Sequence, residues 1–291
     1  MKLAAAGLVL AVALAPARAA DPVTLKWKLA KGDVVYAKTV TKMEQTVGVL
    51  GNTMDQSQDS TIVTKYTVVD ASAGGYTLEQ TIVKAEITGN LPGAEGLAGN
   101  MKGATLTFTL DKDMKVTKVD GYDGYIEKIA GGNEDIAKVM RASAGPDALK
   151  VSVEDMLAVG PGTPVKPGDT WKRDTKLAIG PLGDFALNAK YKLDEVTGGV
   201  AKVSYTADAT FTAGKGGEGL PFQITKGALK ADEYAGSLSF DVAAGRPKAG
   251  GMTAKMGGTL TVSVMGMELE LTFKQTLKVT NTLGDKNLAD D

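Results

Sequence analysis

Val23, Leu25, Trp27 and Leu29 alternate with Thr24, Lys26 and Lys28. Successive side chains of an extended chain point to opposite faces, so this period of two predicts a half-buried strand. Lys31-Gly32-Asp33 follows as a turn, and a long strand-like run extends from Val34 to Leu50, with Val35, Ala37, Met43 and Val47 on one parity. Gly51-Asn52 predicts a hairpin turn. The return arm is polar from Asp55 to Ser60 and strand-like from Thr61 to Val69; Gly74-Gly75 turns it into Tyr76 to Val83. Residues 89–103 hold Gly and Pro with little periodicity and read as a loop. A clearer hairpin follows. Leu106, Phe108 and Leu110 face one way and Thr105, Thr107 and Thr109 the other, with Asp111-Lys112-Asp113 at the tip.

Helical spacing is confined to the middle of the chain. Tyr122, Tyr125, Ile126 and Ile129 follow the i, i+3, i+4, i+7 rule. Gly131-Gly132 predicts the end of that helix and Asn133 the cap of a second, which carries Ile136, Val139 and Met140. Leu149, Val153, Met156 and Leu157 mark a third. A Gly/Pro-rich linker, Gly160 to Pro164, delivers the chain to Lys166-Pro167-Gly168-Asp169-Thr170-Trp171. Pro167 suits the second position of a β-turn and Gly168 the third. This turn is a closer version of Lys31-Gly32-Asp33, and alternating runs resume behind it. They include Trp171 to Ile179, Phe185 to Leu193, Ala201 to Thr212 and a last hairpin. In that hairpin Leu260, Val262 and Val264 are followed, after Gly266, by Met267, Leu269, Leu271 and Phe273 on one face. Val47 to Asp55 aligns without a gap with Val262 to Glu270, and the repeated turns add to the expectation of an internal duplication.

The predicted fold is mainly β: two related curved antiparallel sheets, half-barrel-like, packed around a short helical insert. Residues 20–120 form the first β-rich half, 121–164 the helical insert and linker, and 165–291 the second β-rich half. Residues 1–19 read as a signal peptide. Lys2 is followed by the short apolar run Leu3 to Leu14 and the small-x-small site Ala17-Arg18-Ala19. The expected address is therefore periplasmic or secreted.

Composition then removes chemistry. The 291 residues include no His and no Cys. That excludes His-based triads, His-based zinc sites, thiol nucleophiles and disulfides. Cleavage would remove Lys2 and Arg18 and no acid, turning 33 basic residues into 31 against 34 acidic, a net charge of −3. An acidic balance without a basic block argues against nucleic acid.

The remaining candidates have structural explanations. Asp111 and Asp113 could hold Ca²⁺ weakly, but Asp also favours turn geometry. Asp120 and Asp123 flank Gly121-Tyr122 at a helix start, where capping accounts for them. Glu268 and Glu270 lie beside Lys274 on a polar strand face. Asp33 and Asp169 occupy matching turns. Gly214 to Gly219 lacks the Gly-Lys-Ser/Thr ending of a phosphate loop. Trp27 and Trp171 read as strand-end core anchors rather than a binding platform. No catalytic, cofactor-binding or metal-binding residue is assigned, and no cofactor is expected.

Leu25-Lys26-Trp27-Lys28, Lys31-Gly32-Asp33, Gly121-Tyr122, Lys166 to Trp171, Gly180-Pro181-Leu182-Gly183 and Gly219-Leu220-Pro221-Phe222 occur in this order after a signal peptide. The combination resembles a family of exported bacterial proteins of unknown function, commonest in planctomycete-like bacteria. The resemblance implies export and a β-rich fold and no particular activity. The architecture also resembles the curved half-barrels of envelope carrier lipoproteins, although a chain without Cys has no lipid anchor of their kind. The expected role is non-catalytic binding of an apolar or lipid-like ligand. The alternative is a structural or assembly protein of the cell envelope. A carboxylate-dependent hydrolase is the third reading.

Overall fold

The computed structural model describes residues 21–90, 94–178, 183–214, 223–264 and 266–290. Within them the alternating runs become eleven strands of one antiparallel sheet. The first five are β1 (Val34–Val49), β2 (Asn52–Ser72), β3 (Gly75–Gly89), β4 (Thr105–Asp111) and β5 (Val116–Asp120). The other six are β6 (Thr170–Ala178), β7 (Gly183–Thr197), β8 (Val200–Ala213), β9 (Gln223–Asp241), β10 (Arg246–Val264) and β11 (Met267–Gly284). Their order in the sheet is β5-β4-β3-β2-β1-β11-β10-β9-β8-β7-β6. The two halves meet edge to edge through β1 and β11, whose register runs from Tyr36 opposite Gly284 to Val49 opposite Leu271. They form one continuous sheet, which is not closed. Its free edges are β5 and β6, the strands on either side of the helical insert.

The insert comprises α2 (Tyr122–Ala130), α3 (Glu134–Ser143) and α4 (Pro146–Leu157). Gly131 ends α2 in a left-handed conformation, and the Asn133 side chain accepts from the N–H groups of Asp135 and Ile136 to cap α3. Two expectations need correction. Residues 89–103 are not simply a loop, because α1 (Ala94–Met101) lies there. Its Gly residues masked the i, i+4 pair Leu97 and Met101, which packs on Ile82, Ala104 and Ile129. Residues 23–29 do keep their alternation, with Leu25 and Trp27 buried, but they form no ladder. Val23 makes an isolated bridge with Val165, and Lys28 N–H donates to Gly245 O at 2.9 Å. The segment thus crosses the end of the sheet instead of joining it. The expected glycine turn at 180–183 and the loop at 214–219 lie largely outside the described residues, as does the signal-peptide stretch.

One face of the sheet carries the core. Val68, Leu78, Phe108 and Leu110 from the first half meet Leu193, Ala201, Val203 and Phe240 from the second. Val153 and Leu157 of α4 join them, with Leu25 and Trp27. A smaller cluster of Phe211, Ile224, Leu229 and Val262 lies toward the other end of the strands. Between the two, on the same face, a polar belt crosses three strands. Gln45 Nε2 donates to Gln56 Oε1 at 3.0 Å, and Gln275 Nε2 donates to Gln45 Oε1 at 3.1 Å. The opposite face carries Lys42, Glu44, Lys274, Lys278 and Thr280, as expected of an antiparallel sheet with one side in water.

Candidate functional site

α4 reaches both free edges of the sheet, and two adjacent acids make the attachment. Glu154 Oε1 accepts the N–H of Val116 on β5 at 2.9 Å, while its Oε2 takes Lys115 Nζ at 2.9 Å. On the other side the guanidinium of Arg173 on β6 donates to the carbonyls of Asp155 and Ala158 and pairs with the Asp155 carboxylate. Thr175 Oγ1 donates to the same carboxylate at 2.9 Å. An edge strand presents unpaired N–H and C=O groups, so a helix that occupies both edges protects the sheet from pairing with other chains. The spacing follows from helical geometry: consecutive residues point about 100° apart around the axis and so diverge toward two flanking strands.

α4 is thus a strap between the two edges, and it roofs a cavity of about 370 Å³. Its walls include Trp27 from the crossing segment, Met156 and Val159 from the strap and its exit, and Tyr66, Tyr191, Tyr205, Met252 and Leu283 from the sheet. A second, apolar space of about 30 Å³ lies against Trp27, Val35, Val68 and Leu78. Polar groups are few. Thr39 Oγ1 donates to Asn281 Oδ1 at 2.8 Å, and both residues line the cavity with Ser152 and Asp155. The aromatic wall is ordered across strands: Trp171 stacks on Tyr191 at 5.6 Å, and Tyr191 lies 5.2 Å from Tyr205. Tyr205 can lie flat because its cross-strand partner is Gly236, where a Cβ would come within 2.5 Å of the tyrosine hydroxyl. This volume falls in the range of small-molecule sites, which are mostly apolar with a few placed polar groups.

Burial raises the hydroxyls of Tyr191, Tyr205 and Tyr234 above the ordinary phenol value. Tyr66 is pushed up to about 12, first by burial and then by the charge of Tyr125. These phenols hold their protons more tightly when folded than in the unfolded chain, where the value is 10.0. Their contribution to stability is therefore complete below about pH 10 and is lost as pH climbs toward 12. Alkaline denaturation followed by circular dichroism should show a stability plateau up to about pH 9.5 and a steep fall above it. Phenolate absorbance should rise in the same window.

A larger groove of about 850 Å³ involves Glu44, Thr46, Asp55, Asp232, Lys255 and Lys274. Most of these side chains have the outward parity, and the mixture of charges favours neither sign of ligand.

The residues singled out from sequence are placed as follows. Asp111 Oδ1 accepts the N–H groups of Asp113 and Lys115, and Asp113 pairs with Lys112 at 2.6 Å, which holds its carboxyl below the usual range. Capping does not describe Asp120 and Asp123. The N-cap of α2 is Gly121, without a side-chain hydrogen bond; Asp120 pairs with Lys118 at 2.8 Å, and Asp123 sits in the first helical turn. Glu268 and Glu270 are exposed. No cluster of three acids suited to a metal occurs among the described residues.

Asp33 and Asp169 make the same turn, atom for atom. The Asp33 carboxylate accepts Ala30 N–H at 2.8 Å, and the Asp169 carboxylate accepts Lys166 N–H at 3.0 Å. Gly32 N–H donates to Val68 O and Gly168 N–H to Leu193 O, while Val68 and Leu193 return their N–H groups to Asp33 O and Asp169 O. Gly32 and Gly168 have φ of 90° and 94°, which a side chain would strain. Asp33→Ala and Asp169→Ala should therefore each cost about 1 kcal/mol, within a few tenths of each other, in urea denaturation. Unequal losses, or a change in ligand binding at equal stability, would contradict a purely structural role.

Trp27 is both core anchor and cavity wall, whereas Trp171 supports the wall from behind through Tyr191. Sequence reasoning missed Tyr66, Tyr191, Tyr205, Thr39 and Asn281. A signal was present, since all five stand on the inward parity of their strands.

A family model matches residues 88–284 and is described as Family of unknown function (DUF6263). The chain belongs to that family. Its match takes in the helical insert, the strap and all six strands of the second half. No curated protein matches the chain. A solved structure of lipid–protein interactions in lipovitellin is similar over 89% of this chain and 26% of its own, at 9% identity and a TM-score of 0.48. This chain thus spans about a quarter of that one's length. An outer membrane channel from Pseudomonas putida F1 is similar over 91% of this chain and 100% of its own, at 10% identity and a TM-score of 0.23. At these scores neither likeness bears on function. No helix among the described residues is long and apolar enough to cross a membrane.

Proposed function

We propose that this protein is an exported, non-catalytic binding protein that holds an apolar small molecule in the cavity beneath α4. The observation that carries the reading is the cavity itself: about 370 Å³, walled by aromatic and thioether side chains, beside the main packed core of the sheet. Non-catalytic action is supported by the wall chemistry. Asp155 is the carboxylate among the lining residues, and Arg173 and Thr175 already engage it. A hydrolase of the two-carboxylate kind needs a second acid facing the first across a cleft. Export rests on the N-terminal sequence pattern, and no nucleic acid is expected as a partner.

Native mass spectrometry of protein purified from its own host should show a bound species of a few hundred daltons that leaves on denaturation. A ligand-free spectrum from gentle purification, together with no uptake of apolar dyes, would remove this reading and favour a structural role in the envelope.

A further inference from the structure

Trp27 has one feature that an apolar cavity does not explain. The residue is 7% exposed, and its Nε1–H has no hydrogen-bond partner among the described residues. Buried donors of this kind are nearly always paired, because leaving one dry forfeits its hydration without return. Trp27 lines both the main cavity and the smaller apolar space, so the indole that carries the unpaired donor borders both.

The other polar groups of the wall narrow the chemistry further. Thr39 and Asn281 are bonded to each other through the Asn281 oxygen, and the amide of Asn281 carries two N–H donors of its own. Tyr66, Tyr191 and Tyr205 keep their phenol protons at neutral pH and add hydroxyl donors. The described lining contains Asp155 but no Lys or Arg. Arg173 beside it is already committed to Asp155 and two carbonyls, so an anionic ligand would enter without a free counter-charge and would be strongly disfavoured. A pure hydrocarbon would leave the indole donor unpaired.

We propose, resting on the binding role above, that the occupant is an uncharged apolar molecule bearing a carbonyl-type acceptor, and that Trp27 Nε1–H donates to that acceptor. At roughly 30 Å³ per small group, the main cavity holds about a dozen non-hydrogen atoms.

Three probes of that size separate the possibilities: methyl decanoate, dodecane and the decanoate anion. Each is titrated into the full mature chain carrying ¹⁵N-labelled tryptophan. Methyl decanoate should bind about five- to tenfold more tightly than dodecane, the yield of one added hydrogen bond, and more tightly than decanoate. It should also move the Trp27 indole N–H resonance downfield, which dodecane should not do. In Trp27→Phe the preference for the ester over dodecane should disappear. The resonance measurement needs no variant, so the proposal stays testable should Trp27→Phe fold poorly.

Equal affinities for ester and alkane with an unmoved indole resonance would overturn the proposed hydrogen bond while leaving an apolar site standing. Tighter binding of decanoate would overturn the uncharged class. Binding of none of the three would overturn the binding role itself.

Discussion

Phe240→Ala should destabilise the protein by about 3–5 kcal/mol and lower the stability of both halves together. Phe240 is fully buried at 0% exposure, near the end of β9. Its cluster contains Val68, Leu78, Phe108 and Leu110 from the first half as well as Leu193 and Val203 from the second. A truncation there opens a cavity that neither half can relax alone, because the two are also joined through β1 and β11. Urea unfolding followed by tryptophan fluorescence should remain a single transition shifted to lower denaturant, with Trp27 and Trp171 reporting the same midpoint. If the second half unfolds first and leaves Trp27 native, the shared core is not the unit of cooperativity.

Arg173→Ala should cost about 2–3 kcal/mol and release the strap. The guanidinium makes charge-assisted hydrogen bonds to a carboxylate and two carbonyls, and each bond of this class is worth more than a neutral one. Arg173 is only 23% exposed, so water replaces those bonds poorly. Arg173→Lys should rescue little, since an ammonium cannot fork to three acceptors in this arrangement. Hydrogen exchange should quicken across α4 and the edge strand β6 while β1 and β11 stay protected. The freed edges should also make the variant more prone to self-association. Unchanged exchange in α4 would mean that apolar packing by Val153 and Leu157 holds the helix without the ion pair.

The sequence showed much of this architecture because period two is a local signal. The hairpin of Leu106, Phe108 and Leu110 and the turns at Gly51-Asn52 and Gly74-Gly75 could be read directly. So could the three helices of the insert, with the Asn133 cap and the Gly131 stop. The joining of the halves was hidden. Pairing of Thr39 with Asn281 links residues 242 apart, and no local pattern encodes that register. α1 was hidden for a different reason: its Gly residues lower helix propensity, and packing of Leu97 and Met101 on β3 and α2 overrides it.

The site was the least legible part. Its residues come from seven strands, the strap and the crossing segment, and each looks ordinary alone. Thr39 stands between Ala37 and Thr41, and Asn281 between Val279 and Leu283, on parities that are otherwise mostly apolar. Polar residues at inward positions were the available clue, but without the register they could not be assembled. Asp155 and Glu154 gave a similarly weak signal, because adjacent acids on a helix usually face water. Only the edge strands on either side make them a clamp.

A binding role requires that a ligand occupy the space beneath α4. Ala37 lines that space from β1, so Ala37→Phe places a ring where the ligand would lie. Wild type and Ala37→Phe should be purified in parallel from the native host and compared by native mass spectrometry. The wild type should carry a bound mass of a few hundred daltons, and Ala37→Phe should lack it while melting at the same or a higher temperature. A bound mass retained in a folded Ala37→Phe protein, or a wild type that is empty throughout, would contradict the account.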